Sequence, residues 1–337
     1  MRKLATVQQI EEIQPIENAD AIEKARIKGW WVVVKKDQFK IGDKCIYFEI
    51  DSLLPIIPQF SFLSKGQSLK KSIEDGKEIT GFRLKTIRLR NQISQGLIMP
   101  LSEFPEVTVL DIDTDVSELL NIFKYEPPIP VHLAGDVKNQ FPGFLPKTDE
   151  ERIQTCPEIL EKYKGCRFYM TSKVDGSSTT IFKHENEFGV CSRNLEMKEN
   201  ENNAFWKMAY RYNLKEKLPN EFAIQAELAG EGVQGNPHKL KGVDIFVFYV
   251  FDIIKYQYLK LDDMLAFAKD LGLKTVPVID DNFILNHTCD EILAMANMKS
   301  PLNLNVIQEG IVFRLYDSTE KITFKAISNE YLLKYGE

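Results

Sequence analysis

Thr171-Ser172-Lys173-Val174-Asp175-Gly176-Ser177-Ser178 is the stretch on which the reading of this chain turns. Ahead of it Arg167-Phe168-Tyr169-Met170-Thr171 has the pattern of a strand, and Ser178-Thr179-Thr180-Ile181-Phe182 leads away as a second. Lys173 therefore stands at the mouth of a strand–turn–strand unit, two residues before Asp175 and three before Gly176. An amine there is ready for nucleophilic work once its surroundings deprotonate it. The glycine permits a tight turn and lets a ligand come close to the backbone. Taken alone, K-x-D-G also describes an ordinary surface hairpin, so its meaning depends on what accompanies it.

Downstream, four more polar stations stand at the edges of apolar strands. Arg193 follows Val190-Cys191-Ser192, where a strand gives way to a polar loop. Glu227 lies in Ile224-Gln225-Ala226-Glu227-Leu228-Ala229-Gly230-Glu231-Gly232, sharing a face with Ala223 and Gln225 by the period of two. Glu309 heads Glu309-Gly310-Ile311-Val312-Phe313-Arg314, and Lys325 shares a strand face with Lys321 and Thr323. Phe251 ends Ile245-Phe246-Val247-Phe248-Tyr249-Val250-Phe251-Asp252, a run apolar enough to be a central strand. Each charge alone reads as a rim charge on a half-buried strand, and Phe251 alone as core. Together they match what nucleotidyl transfer from ATP requires. That is a nucleophilic amine, cations for the phosphates, carboxylates for a hard metal ion or ribose hydroxyls, and an aromatic face for the base.

Before Thr148 the texture differs. Strands are expected at Leu4 to Ile13, Ile22 to Ile27, Trp30 to Val34, Cys45 to Ile50, Phe82 to Leu89 and Ile93 to Met99, with a polar insert at Ser64 to Gly76. Short strands with little helix imply a small barrel, of which the five-stranded OB-fold is one form. Arg83, Lys85, Arg88 and Arg90 crowd one strand without an acid; a bulge near Thr86 would bring all four to one side. Such a strand either tracks a phosphate backbone or guards an exposed edge. Trp30 and Trp31 point to opposite faces, so one belongs to the core and the other is a candidate stacking platform. A helix is expected over Thr114 to Phe123, and the proline-rich, aperiodic residues 126–147 read as a linker. Thr148-Asp149-Glu150-Glu151 has the pattern of a capping box opening a helix through Tyr163. Later helices are expected at Asn202 to Lys217, Leu261 to Leu271 and Cys289 to Met298. Strands are expected at Phe222 to Leu228, Ile245 to Ile254, Gly310 to Leu315 and Ile322 to Ile327. The fold class is therefore α+β, with a barrel at 1–125, a linker at 126–147 and a mixed catalytic domain at 148–337.

Composition agrees with a globular protein: 337 residues, 44% hydrophobic and 27% charged, enough for two domains. No run approaches the roughly 18 apolar residues of a membrane span, and the N-terminus has no signal core. The five cysteines are scattered without a C-x-x-C pair, and the four histidines are dispersed. This argues for a reducing cytoplasm and against a disulfide framework or structural zinc. The net charge of −6 lowers the expectation of nucleic-acid binding, though local basic clusters can override it.

The ordered motifs K-x-D-G, S-R, E-L-x-G-x-G-x-Q, F-D-I, E-G-x-V and a final lysine strand resemble the covalent nucleotidyltransferase superfamily of polynucleotide ligases and capping enzymes. Glu227 to Gln234 and Glu309 to Val312 look most like the RNA ligases. Gly29-Trp30, Gly42-Asp43, Asp51 to Pro55, Ser94 to Leu97, Lys147 to Gln154 and Ile327 to Lys334 are similar to nick-sealing enzymes with an N-terminal OB domain. The resemblance implies an ATP-dependent RNA ligase that takes Mg2+ or Mn2+ and joins 3′-OH and 5′-phosphate RNA ends. A DNA ligase or a capping-type guanylyltransferase is the alternative. Both usually carry an OB domain after the nucleotidyltransferase domain; the lysine strand here lies close to Glu337, so both are expected to be disfavoured.

Residue by residue, the resemblance makes Lys173 the carrier of AMP, and Asp175 and Glu309 the metal-positioning pair. It puts Glu227 at the ribose, Phe251 on the adenine, Arg193 at the nucleotide or 5′-phosphate, and Lys325 at the α-phosphate. Thr171, Ser172 and Ser178 would border the nucleotide, with Lys147 and Lys334 as further cations. The second lysine often found two positions after the first is here Ile327, and Lys321 or Lys334 is expected to replace its charge.

Overall fold

The residues flanking Lys173 form two strands, Arg167–Lys173 and Ser177–His184, which leave the turn into different sheets. The computed structural model describes residues 2–66, 68–74, 77–125 and 136–335. The chain divides into two compact units, Met1–Ile129 with Leu332–Glu337, and Pro130–Tyr331.

Short antiparallel strands make the first unit. Lys44–Phe48 lies between Ala5–Gln9 and Leu97–Pro100, and Glu12–Pro15, Ile22–Ile27 and Trp30–Lys35 form a meander. The strand expected over Leu4 to Ile13 is thus two strands. Phe123–Lys124, Ser52–Leu54, Lys77–Arg83 and Lys70–Glu74 make a third sheet, its last strand falling within the expected polar insert. The core is aromatic: the Phe48, Phe60 and Phe104 rings lie 5.2–5.9 Å apart. Burial of this kind, about 25 cal/mol per Å2 of apolar surface, holds such short strands together.

Trp30 is core at 1% exposure, whereas Trp31 is half-buried beneath Lys24 and Arg26, whose charges lie 4.4 and 5.2 Å from its ring. The basic stretch is not one bulged strand. Its strand ends at Arg83, Thr86 turns inward, and a separate hairpin forms from Ile87–Leu89 and Gln92–Ser94. Arg83 is ion-paired with Asp51 at 2.7 Å and stacked on Tyr125, while Arg88 and Arg90 are exposed on the hairpin.

The helix expected over Thr114 to Phe123 does not form. Val7 donates to the Thr114 carbonyl and Val116 to that of Ala5, so the start of the segment is engaged by the first strand, and only turns, such as Leu120 to Val116, close within the rest. Left-handed Asp113 precedes the segment and left-handed Asn121 interrupts it.

The second unit is a pair of sheets. One runs in the order Val137–Gln140, Leu195–Met197, Glu187–Cys191, Ser177–His184, Phe222–Gly230, Val243–Asp252, Gln257–Tyr258. The other runs Val278–Ile284, Arg167–Lys173, Gly310–Leu315, Thr323–Ile327. Ile181, Ile224, Ala226, Val247 and Val250 bury one face of the larger sheet under the helices Ala204–Arg211 and Leu261–Asp270. Phe168, Met170, Ile311, Phe313 and Phe324 bury one face of the smaller sheet with the helix Cys289–Met295.

Of the expected linker, residues 126–135 lie outside the described residues. Beyond them, Val137–Gln140 is an edge strand and Leu145 is core. The helix expected from Thr148 is confined to Glu158–Lys162, after Pro157. Residues ahead of it give their backbone groups to the lysine strand: Lys325 N–H donates to the Glu151 carbonyl, and Ile153 N–H to that of Lys325. The Thr148 hydroxyl lies 3.0 Å from that of Ser178 instead of capping a helix. A capping box does occur, at Thr288 and Glu291.

Candidate active site

Strand register places the key groups. Across the smaller sheet Lys173 pairs with Gly310 and Gly310 with Ile327; Thr171 pairs with Val312 and Val312 with Lys325; Tyr169 pairs with Arg314 and Arg314 with Thr323. Side chains alternate, so Lys173, Thr171, Lys325, Arg314 and Thr323 share the face opposite the Phe168–Phe313–Phe324 core. Gly176 carries the chain from this sheet into the larger one; a Cβ there would lie 2.2 Å from the Leu228 carbonyl, so the turn requires glycine. In the larger sheet Ser178 pairs with Glu227, bringing the acid to the same turn.

The Lys173 ammonium contacts Glu309 Oε2 at 2.6 Å. Burial acts to lower its pKa, but Glu309, Glu227 and Asp175 outweigh it and hold the amine above its ordinary range. Burial pushes the Glu227 carboxyl up to about 8; Glu309 and Asp175 add to this, and Lys173 and Arg193 oppose it. The structure thus gathers Lys173, Asp175, Glu227 and Glu309. Half-buried Lys325 is on the same sheet face. Ser172 faces away, donating to Gln308 Oε1 at 3.0 Å. Arg193 is ion-paired with Asp149, and Lys147 donates to the Arg193 carbonyl and to Asn194 while lying 4.3 Å from the Phe141 ring. Lys334 is exposed on the terminal helix Asn329–Tyr335, with its charge over Tyr335.

Phe251 is not an open platform. It is 1% exposed, with Tyr256 and Tyr258 edge-on at 5.1 Å. The half-buried aromatic nearer the lysine turn is Phe248, packed against the cluster of Val174, Ala229, Phe246 and Val276. The run of alternating aromatics concealed which one is presented, because the register slips between Gln225 and Ala226.

Ile327, where a second lysine was sought, is 2% exposed and opposite Gly310. Lys321 is held by the Lys147 and Asp149 carbonyls and lies 3.8 Å from Glu150. Another cation on this face is Arg314, 4% exposed. It donates to Thr171 Oγ1 at 2.5 Å and lies over the Tyr249 ring at 4.6 Å. Tyr249 in turn donates to Glu150, which also accepts from Thr323.

Sequence reasoning also missed two contacts to Asp175. Its backbone N–H is bonded to His238 Nε2 at 3.0 Å, and its carboxylate accepts from the Tyr331 hydroxyl. Neither residue sits in a periodic pattern, and both reach the site from 60 or more positions away.

An RNA ligase family model matches residues 167–332, and an OB-fold domain model matches residues 4–101. Naegleria gruberi RNA ligase with pyrophosphate is 44% identical, with a TM-score of 0.89 and 98% of each chain covered. This chain belongs to the RNA ligase family. Variants of the Naegleria gruberi enzyme with ATP and manganese, and with AMP and manganese, are each 43% identical at a TM-score of 0.89, again over 98% of each chain. No curated protein matches. The ligase is ATP-dependent and works through adenylylation, and its OB-fold domain precedes the ligase domain, as expected from the sequence. RNA and ATP are its substrates.

Proposed function

We propose that Lys173 is the residue this ligase adenylylates, and that it seals nicked or broken RNA bearing 3′-OH and 5′-phosphate ends in a reducing cytoplasm. The observation that carries the assignment is the half-buried Lys173 amine, 2.6 Å from Glu309 and beside Glu227 and Asp175, on one sheet face with Lys325. The five cysteines are free thiols, which supports the compartment. Among the described residues no helix is long and apolar enough to cross a membrane.

Glu309 is placed to receive the proton that Lys173 loses as its nitrogen attacks the α-phosphorus. Pyrophosphate leaves and a phosphorus–nitrogen bond forms. A 5′-phosphate oxygen then takes the AMP from Lys173, and attack by the 3′-OH releases it. The Glu227 carboxyl, pushed up by burial and by Glu309 and Asp175, stands where it can meet the ribose hydroxyls. Lys325 lies where the triphosphate would extend along the sheet, and Phe248 rather than Phe251 offers the base a face.

Asp175 and Glu309 are the residues that would hold magnesium or manganese, directly or through water. Carboxylate oxygens suit both ions, and among the described residues no group of three or more potential ligands forms a closed cage. An ion held there would take its remaining ligands from water or substrate. When bound, it neutralises charge on the phosphates.

The RNA grip falls to the first unit, where exposed Arg88 and Arg90, and Lys24 and Arg26 over the Trp31 ring, offer cations to a phosphate backbone. The test is transfer of label from α-phosphate-labelled ATP, followed by a nicked duplex with an RNA or DNA 3′-OH strand. Lys173→Ala should carry no label, and an RNA 3′-OH strand should be joined in preference to DNA. Labelling of Lys173→Ala at the wild-type level would remove the assignment.

A further inference from the structure

We infer that His238 is a positioning residue for the nucleophile turn: its Nε2 accepts the backbone N–H of Asp175 and so fixes the geometry from which Lys173 attacks. The inference rests on Lys173 being the adenylylated residue.

Val174, Asp175 and Gly176 belong to neither sheet, because one ladder ends at Lys173 and the other begins at Ser177. An amide in such a gap has no ladder acceptor, and leaving one buried without a partner is costly. The His238 ring supplies that acceptor at 3.0 Å and is 1% exposed. An amide nitrogen can only donate, so Nε2 is unprotonated and the ring proton is on Nδ1, which faces Ser300 Oγ at 3.0 Å.

His238 is itself anchored. Its carbonyl accepts from Asn303 Nδ2 at 3.0 Å, and Ser300 Oγ also accepts from the Leu302 amide. The ring therefore links the turn to a hairpin, Lys299–Ser300 with Asn303–Ile307, whose far end leads into Glu309. The imidazole thus adds a tie at the turn itself to the strand pairing of Lys173 with Gly310 that already joins nucleophile and acid. His238 touches no reacting atom; it acts through the Asp175 backbone.

The two ring nitrogens can be separated by substitution. Glutamine extends far enough to put an oxygen near the Nε2 position. Asparagine reaches only the Nδ1 position and retains the Ser300 contact. We expect His238→Gln to form lysyl-AMP in a single turnover at close to the wild-type rate. His238→Asn and His238→Ala should be slower by roughly tenfold, the size of one net hydrogen bond. Half-saturating ATP should change less than twofold in all three, because the bond orients the amine and does not grip the nucleotide. Thermal melting of the Gln and Asn variants, measured alongside, should agree within a few degrees. Equal rates for Gln and Asn, wild-type rates for Asn and Ala, or a loss expressed wholly as a rise in half-saturating ATP would overturn the inference. Label persisting in a parallel Lys173→Ala control would instead overturn the site assignment beneath it.

Discussion

Replacing Glu309 by glutamine should make Lys173 more nucleophilic toward a simple reagent while making the ligase worse at its own reaction. The carboxylate contacts the ammonium at 2.6 Å in a pocket where the Lys173 side chain is 25% exposed. A charge-assisted hydrogen bond of this kind contributes about 1.5–3 kcal/mol net. At about 1.4 kcal/mol per unit, removing the charge lowers the amine pKa by roughly 1–2 units. Below both values the free-amine fraction scales with 10 to the power of pH minus pKa, so acylation at pH 9 should accelerate about 10- to 100-fold. The assay is a timed reaction of metal-free and nucleotide-free protein with a small amine-selective acylating reagent. Mass spectrometry of the Lys173 peptide is normalised to exposed Lys239. Transfer of AMP from ATP with manganese should fall in the same variant, since Glu309 is also placed to receive the proton and position the ion. An acylation rate equal to or below wild type would refute the claim that this carboxylate holds the lysine in its charged form.

Glu227→Gln should flatten the pH dependence of stability of the nucleotide-free protein. A carboxyl raised to about 8 stabilises the fold below its unfolded value near 4.5 and loses that contribution as pH rises through 8. The wild-type melting temperature should therefore decline between pH 5 and 8 by more than that of the variant, corresponding to a few kcal/mol; parallel curves would count against it. Phe248→Ala should raise half-saturating ATP several-fold. Phe251→Ala should instead cost about 3–5 kcal/mol in urea unfolding, as expected for a filled core site. Replacing Arg88 and Arg90 by glutamine should weaken RNA binding and reduce the slope of log affinity against log salt by about one for each phosphate these arginines neutralise; an unchanged slope would remove the hairpin from the RNA surface.

Much of the catalytic half was legible because its signals are local. Alternation placed Gly310–Leu315 at its observed limits and put Lys325 on the face it shares with Lys173. The glycine of K-x-D-G is required by the close approach to Leu228. What failed depended on partners distant in sequence. Thr148-Asp149-Glu150-Glu151 carries good helix signals, yet its backbone is taken by Lys321 and Lys325 from more than 170 positions away. The segment at Thr114 likewise gives its bonds to the first strand. Arg83 looked like an RNA contact until Asp51 and Tyr125 occupied it. His238 and Tyr331 could not be assigned to Asp175 because a hydrogen bond across folded chain leaves no periodic trace.

The segment from Pro146 to Ile153 lies between the two sheets and is fastened in part by its main-chain groups. Gln225 donates to the Pro146 carbonyl at 2.8 Å, Lys321 to those of Lys147 and Asp149, and Lys325 N–H to that of Glu151. Carbonyl oxygens are the same in every amino acid except for the constraints of proline and glycine. This fastening is therefore indifferent to most of the side chains mounted on it. A substitution at 147, 148 or 149 therefore removes the side-chain contact made there and leaves the carbonyl ties between the sheets in place.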